Sequence, residues 1–229
     1  MHIHLLQHGP HHGPARLTDW LDSMGHSYTV FHLFDGELTP RPGECDALIV
    51  LDGPEELIQT PPAWSRAEKK LLNRYLDGQR PVLGIGLGAL WIAEALEAVI
   101  APGTYPETGW HGVTLAPESP FDLPERFEAF MWHRYVFSLP DAALPLGGSD
   151  AAPLQGFAWD AGRVMGLLCH FEVTAQSAAE LFAHPPAAPA TAAGQRYLQS
   201  EAAILETPQR FHGLAPLLDR VMLQWLARA

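Results

Sequence analysis

Pro81-Val82-Leu83-Gly84-Ile85 reads as a buried strand, Gly86-Leu87-Gly88 as a tight glycine turn and Ala89 to Leu96 as a strong helix former. Strand, sharp turn and buried helix is the geometry that lifts a nucleophile out of a sheet. Late in the chain, His170 and Glu172 stand at i and i+2, so on a strand both side chains share one face. A histidine beside a carboxylate can act as a general base, and a water is one group it could activate. The plainer interpretation is that two buried polar groups satisfy each other. Cys169 adjoins His170 but points to the opposite strand face, and Cys45 has no histidine near it in sequence. Buried free cysteines of this kind are commonly inert.

The chain holds 12 histidines, so metal binding has to be weighed. His2 and His4 share a strand face, and His8-Gly9-Pro10-His11-His12 follows. Imidazole suits zinc, nickel or copper. Yet no Cys/His pair has structural-zinc spacing and no His-Glu-x-x-His occurs, so no metal site is expected. Gly84-x-Gly86-x-Gly88 resembles part of a phosphate loop, but it lacks the third-glycine spacing and the Lys-Ser/Thr that would follow. No cofactor is expected.

The elements that must position these residues alternate between strand and helix. His2 to Leu6, Tyr28 to Leu33 and Ala47 to Leu51 are β-prone, the last almost wholly apolar, as a strand buried on both faces should be. Ala15 to Met24 and Trp64 to Leu76 carry helical apolar spacing. From Gly103 to Leu139, short β-prone runs (Gly112 to Leu115, Phe127 to Trp132) alternate with Pro-rich turns. Gln155 to Trp159 and Arg163 to Leu168 form a hairpin pattern across Asp160-Ala161-Gly162. Ala175 to Ala183, Gln195 to Leu205 and Leu214 to Ala227 read as helices, with a Pro/Ala-rich loop from His184 to Gly194. Repeated βα units predict an α/β fold: a mostly parallel twisted central sheet flanked by helices, with a small antiparallel addition around 103–140. Any site belongs at the carboxyl ends of the strands.

The 229 residues are expected to form a single domain, 1–229. With 14 Lys+Arg against 26 Asp+Glu, the formal net charge is −12, which argues against nucleic acid as a partner. Apolar runs fall short of a membrane span, and the N-terminus lacks the basic region of a signal peptide. Two cysteines make no disulfide framework, so the cytoplasm is the expected compartment.

Five segments, in order, resemble the class I (triad) glutamine amidotransferases, and among them the group similar to the glutaminase domain of GMP synthase. Ile49-Val50-Leu51-Asp52-Gly53-Pro54 resembles the strand and oxyanion-loop Gly-Gly-Pro, and Pro81 to Gly88 resembles the elbow Pro-Val-Leu-Gly-Ile-Cys-Leu-Gly. Glu107-Thr108-Gly109-Trp110 is similar to Glu-Ile-Gly-Trp. Trp132-His133 is similar to the start of Trp-His-Gly-Asp, and Gly166 to Glu172 to Gly-Leu-Gln-Phe-His-Pro-Glu. The resemblance implies a cysteine that attacks the glutamine amide, a histidine that moves the proton, a glutamate that orients it, and backbone N–H groups that hold the oxyanion. Carried over by position, His170 and Glu172 match the base and its orienter, and Gly53 and Leu87 match the oxyanion hole. Gly88, Leu90, Trp132 and His133 match the substrate side.

The nucleophile position is Gly86, which has no side chain. Ala89-Leu90 stands for His-Gln, Phe171 for the Pro between His and Glu, and Arg134-Tyr135 for Gly-Asp. The expectation is therefore a glutamine amidotransferase-like protein without glutaminase activity, kept as a binding or regulatory module. Its ligand would be a small amino-acid-like or γ-glutamyl compound, or a synthetase or other partner protein, and the chain would be a monomer or homodimer. The alternatives are a working amidotransferase or γ-glutamyl hydrolase whose cysteine was substituted, and a hydrolase using His170 with a water or metal.

Overall fold

The structure, a computed structural model, describes residues 1–185 and 193–228. The strands are β1 (His2–Gln7), β2 (Ser27–His32), β3 (Ala47–Val50), β4 (Val82–Ile85), β5 (Ile100–Leu115), β6 (Arg126–Phe137), β7 (Leu144–Pro145), β8 (Gly147–Gly148), β9 (Gly156–Trp159), β10 (Val164–Leu167) and β11 (Cys169–His170). The helices are α1 (Arg16–Ser23), α2 (Glu56–Gln59), α3 (Ser65–Asp77), α4 (Leu87–Ala95), α5 (Ala175–Phe182), α6 (Glu201–Leu205), α7 (Gln209–His212) and α8 (Ala215–Leu226).

Seven strands form the central sheet in the order β2-β1-β3-β4-β10-β9-β7. The pairings from β2 through β10 are parallel, and β9 and β7 extend the edge antiparallel. Alternation along the buried strands feeds two cores. Ile49, Leu83, Ile85 and Met165 face one side with α8; Leu48, Val50, Val82 and Val164 face the other with α3 and α4. A parallel sheet covered on both faces requires such continuous apolar strands. A second, antiparallel sheet has the order β11-β6-β5-β8.

That second sheet departs from expectation in extent. β5 and β6 pair over 11 register positions from Ile100 to Thr114, with one irregularity between Pro102 and Glu107. Pro102 and Pro106 remove amide donors from β5 and mask it as a run of turns. The expected helix over Gln195 to Leu205 is reduced to α6, which Ser200 caps by accepting from Ala203 N–H. The helix expected from Leu214 is preceded by a separate short one, α7. The loop read over His184 to Gly194 lies partly outside the described residues. Among the described residues, no helix is long and apolar enough to cross a membrane.

The elbow is tighter than the expected three-residue turn. Only Gly86 lies between β4 and α4, and Leu87 is already helical. Gly86 adopts φ 55°, ψ −116°, a region nearly closed to residues with a side chain. Gly88 sits in α4 against β3: a β-carbon there would run into the Val50 carbonyl, 2.7 Å from its carbon. Absence of a side chain at Gly88 is what lets α4 lie close to the sheet.

Candidate functional site

The carboxyl ends of β1, β3 and β4 and the strand β6 converge on a cavity of about 210 Å³. Gly53, Gly86, Leu87, Leu90, Trp132 and His133 all line it, together with Asp52, Glu55 and Arg134. Gly88 does not, because it faces β3. A narrow cleft beside the cavity is lined by His12, Asp52, His170 and Glu172.

His170 and Glu172 are joined through Nδ1 and Oε1 at 2.7 Å. The reason is not a shared strand face, since β11 ends at His170; Glu172 reaches back from the bend that follows. Arg16 fixes this bend. Its backbone N–H donates to Glu172 O at 3.0 Å, and its guanidinium to Phe171 O at 3.0 Å and Phe211 O at 2.7 Å. Burial opposes a charge on His170, but Glu172, with Asp52 behind it, more than offsets this and raises its pKa. Nε2 of His170 is buried with no protein partner. Cys169 is buried in the core on the other side, and burial, with Glu172 adding, pushes its thiol pKa up. A protonated thiol facing away from the cleft is no replacement nucleophile.

Asp52 is the residue that sequence reasoning passed over as part of a turn. Its Oδ1 accepts from the Leu87 backbone N–H at 2.8 Å, and its Oδ2 lies 3.8 Å from His12 Nε2. Burial is the main cause that lowers the pKa of His12; Asp52 pulls the other way, and His170, His8 and His11 add repulsion. The available signal was the acidic side chain of Asp52 directly before Gly53-Pro54, where the resemblance has glycine. Gly53 itself must be small: a β-carbon there would come within 2.7 Å of both His8 Cβ and Leu87 Cδ2.

His133 belongs to a buried network as well as to the cavity wall. Its Nε2 is 3.2 Å from Gln155 Oε1 and 3.3 Å from Glu107 Oε2, and Gln155 Nε2 donates to Glu107 at 2.6 Å. Burial would raise the pKa of Glu107, but His133 and Ser149 reverse this and hold it low. Trp132 packs edge-on against Phe182 of α5. Of the N-terminal histidines, His8 pairs with Glu68, His2 lies against Ser27 and Thr29, and His11 stacks on His184. Among the described residues, no three His, Cys, Asp or Glu side chains are arranged to hold a metal ion.

A profile of the family described as glutamine amidotransferase class-I matches residues 16–183. The chain is 30% identical over 212 residues to the glutamine amidotransferase-like protein YfeJ of Salmonella typhimurium, covering 88% of each chain. It resembles the crystal structure of a glutamine amidotransferase from Thermotoga maritima with a TM-score of 0.83 at 25% identity, over 98% of this chain and 97% of that one. The glutamine amidotransferase structure from Methylobacillus flagellatus gives 0.87 at 23% identity, over 99% and 94%, and supports the fold alone.

Proposed function

The chain belongs to the class I glutamine amidotransferase family, and from that premise we propose that it is a member without glutaminase activity, serving as a binding or regulatory module. The observation that carries this reading is the elbow. Its apex, Gly86, has no side chain, while the strand before it and the helix after it are intact. Amide cleavage by this route needs an attacking atom at the apex. An oriented imidazole at His170 supplies a proton acceptor and no such atom.

The cavity supports a binding role. It is of a size for a small amino-acid-like molecule and combines an apolar wall, Leu90 and Trp132, with the polar groups of Glu55 and Arg134. The test is ammonia release from glutamine by the purified protein, beside calorimetric titration with glutamine and γ-glutamyl amides. No ammonia together with saturable binding is the expected result. Ammonia release that disappears in a His170→Ala variant would replace this reading with a water-activating hydrolase.

A further inference from the structure

We infer that Asp52 is a built-in occupant of the elbow: its carboxylate fills the space of a side chain at position 86 and takes the backbone N–H that would otherwise stabilise an oxyanion. The inference rests on the reading of Gly86 as an emptied nucleophile position, and it adds what has replaced the nucleophile.

Three observations converge. A β-carbon built on Gly86 would lie 2.9 Å from Asp52 Cβ, 2.5 Å from its Cγ and closer still to Oδ1. No side chain at 86 coexists with this placement of Asp52. In elbows of this geometry the oxyanion donor is the N–H of the residue after the apex, here Leu87, and that N–H already donates to Asp52 Oδ1 at 2.8 Å. Finally, Asp52 and His170 line one cleft, so a fixed anion stands near the imidazole that Glu172 orients. Shape, hydrogen bond and charge of a bound anion are thus all supplied from within the chain. The parallel pairing of β3 and β4 brings this about, because it sets their carboxyl ends side by side, with Asp52 two residues beyond one and Gly86 one residue beyond the other.

The consequence is that the apex and residue 52 change function only together. A new side chain at 86 is accommodated only if the Asp52 carboxylate rotates away, with a small shift of its Cβ, and that rotation breaks its bond to Leu87. The deciding experiment compares Gly86→Cys with the double variant Asp52→Gly/Gly86→Cys. The rate at which iodoacetamide labels residue 86 is read by peptide-resolved mass spectrometry, with the buried Cys45 and Cys169 as internal controls. The expected result is labelling at least tenfold slower when Asp52 is present. Equal rates would overturn the inference. Ammonia release by the unaltered chain would instead sink the functional reading and leave the labelling comparison standing.

If Gly86→Cys does not fold, the same question is put to the Leu87 amide. Hydrogen exchange there should accelerate at least tenfold in Asp52→Ala and stay near its original rate in Asp52→Asn, whose amide oxygen still accepts. Unchanged exchange in Asp52→Ala would refute the occupant role.

Discussion

His8 and Glu68 form a buried ion pair, Nε2 to Oε1 at 2.8 Å, with neither side chain more than 1% exposed. The other ring nitrogen of His8 lies 3.2 Å from the carbonyl oxygen of Asp52. The carbonyl can only accept, so Nδ1 carries a proton, and a second proton on Nε2, the imidazolium form, lets the ring donate to Glu68 as well. Burial works against that charge, but the attraction and hydrogen bond of Glu68, helped by Asp52, prevail and raise the pKa of His8. The pair therefore links α3 to the loop that carries Asp52.

Removing one partner leaves a buried charge uncompensated, which costs about 3–5 kcal/mol. Glu68→Gln should lower stability on that scale in urea unfolding. A group whose pKa is raised on folding stabilises fully below its unfolded value, and the gain is lost as pH rises through the folded value. The gap between the unaltered chain and Glu68→Gln should thus be widest below about pH 6.5 and narrow above it. A gap independent of pH would mean that His8 is neutral.

Glu172→Gln preserves shape and removes the charge beside His170. With that offset gone, burial dominates, and the pKa of His170 should fall below the ordinary 6.5. NMR titration of the ring carbons reads the change directly. A raised value persisting in the variant would transfer the credit to Asp52.

Glu55 is a carboxylate held where it is poorly solvated. Burial is the main cause, Arg134 at 3.5 Å only partly offsets it, and Asp52 and Glu56 add repulsion; the pKa rises to about 7. The folded state thus binds a proton more readily than the unfolded one, and stability declines as pH rises from about 4.5 to 7. Glu55→Gln removes this penalty. We expect a gain of about 1–3 kcal/mol at pH 8, vanishing below pH ~5, in unfolding measured across that range. A stability loss at pH 8 would show that the Arg134 contact outweighs burial.

Ala15 precedes α1 with φ 45°, ψ −122°, close to the conformation of Gly86 but in a residue that carries a β-carbon. Strain of this kind costs about 1–3 kcal/mol, against roughly 0.5–1 kcal/mol for the extra freedom of an unfolded glycine. Ala15→Gly should raise the stability by about 1 kcal/mol, a few degrees in Tm.

Much of this arrangement was legible in the residues, for reasons that differ by element. Apolar runs such as Ala47 to Val50 announce a strand buried on both faces, and glycine at 86 between a strand and a helix announces a sharp turn. His170 and Glu172 were found by the resemblance of Gly166 to Glu172 to a family segment, with which their i, i+2 spacing agrees, although the contact is made from a bend held by Arg16. β5 was obscured because its prolines remove local strand signal while β6 supplies the pairing. Asp52 was missed for a related reason: its local sequence says only turn, and its role arises from Leu87 at the start of α4, 35 residues away. The links of Glu107 and His133 to Gln155 are also set by tertiary approach, across 48 and 22 residues.

The close approach of Asp52 to Gly86 also constrains which residues can stand together. Aspartate at 52, so placed, leaves no room for a side chain at 86. Any side chain placed at 86 meets both the strained backbone and the carboxylate. The two positions are therefore sterically coupled, and a chain with a residue other than glycine at the apex should hold an aspartate at 52 only in another orientation, off the Leu87 amide.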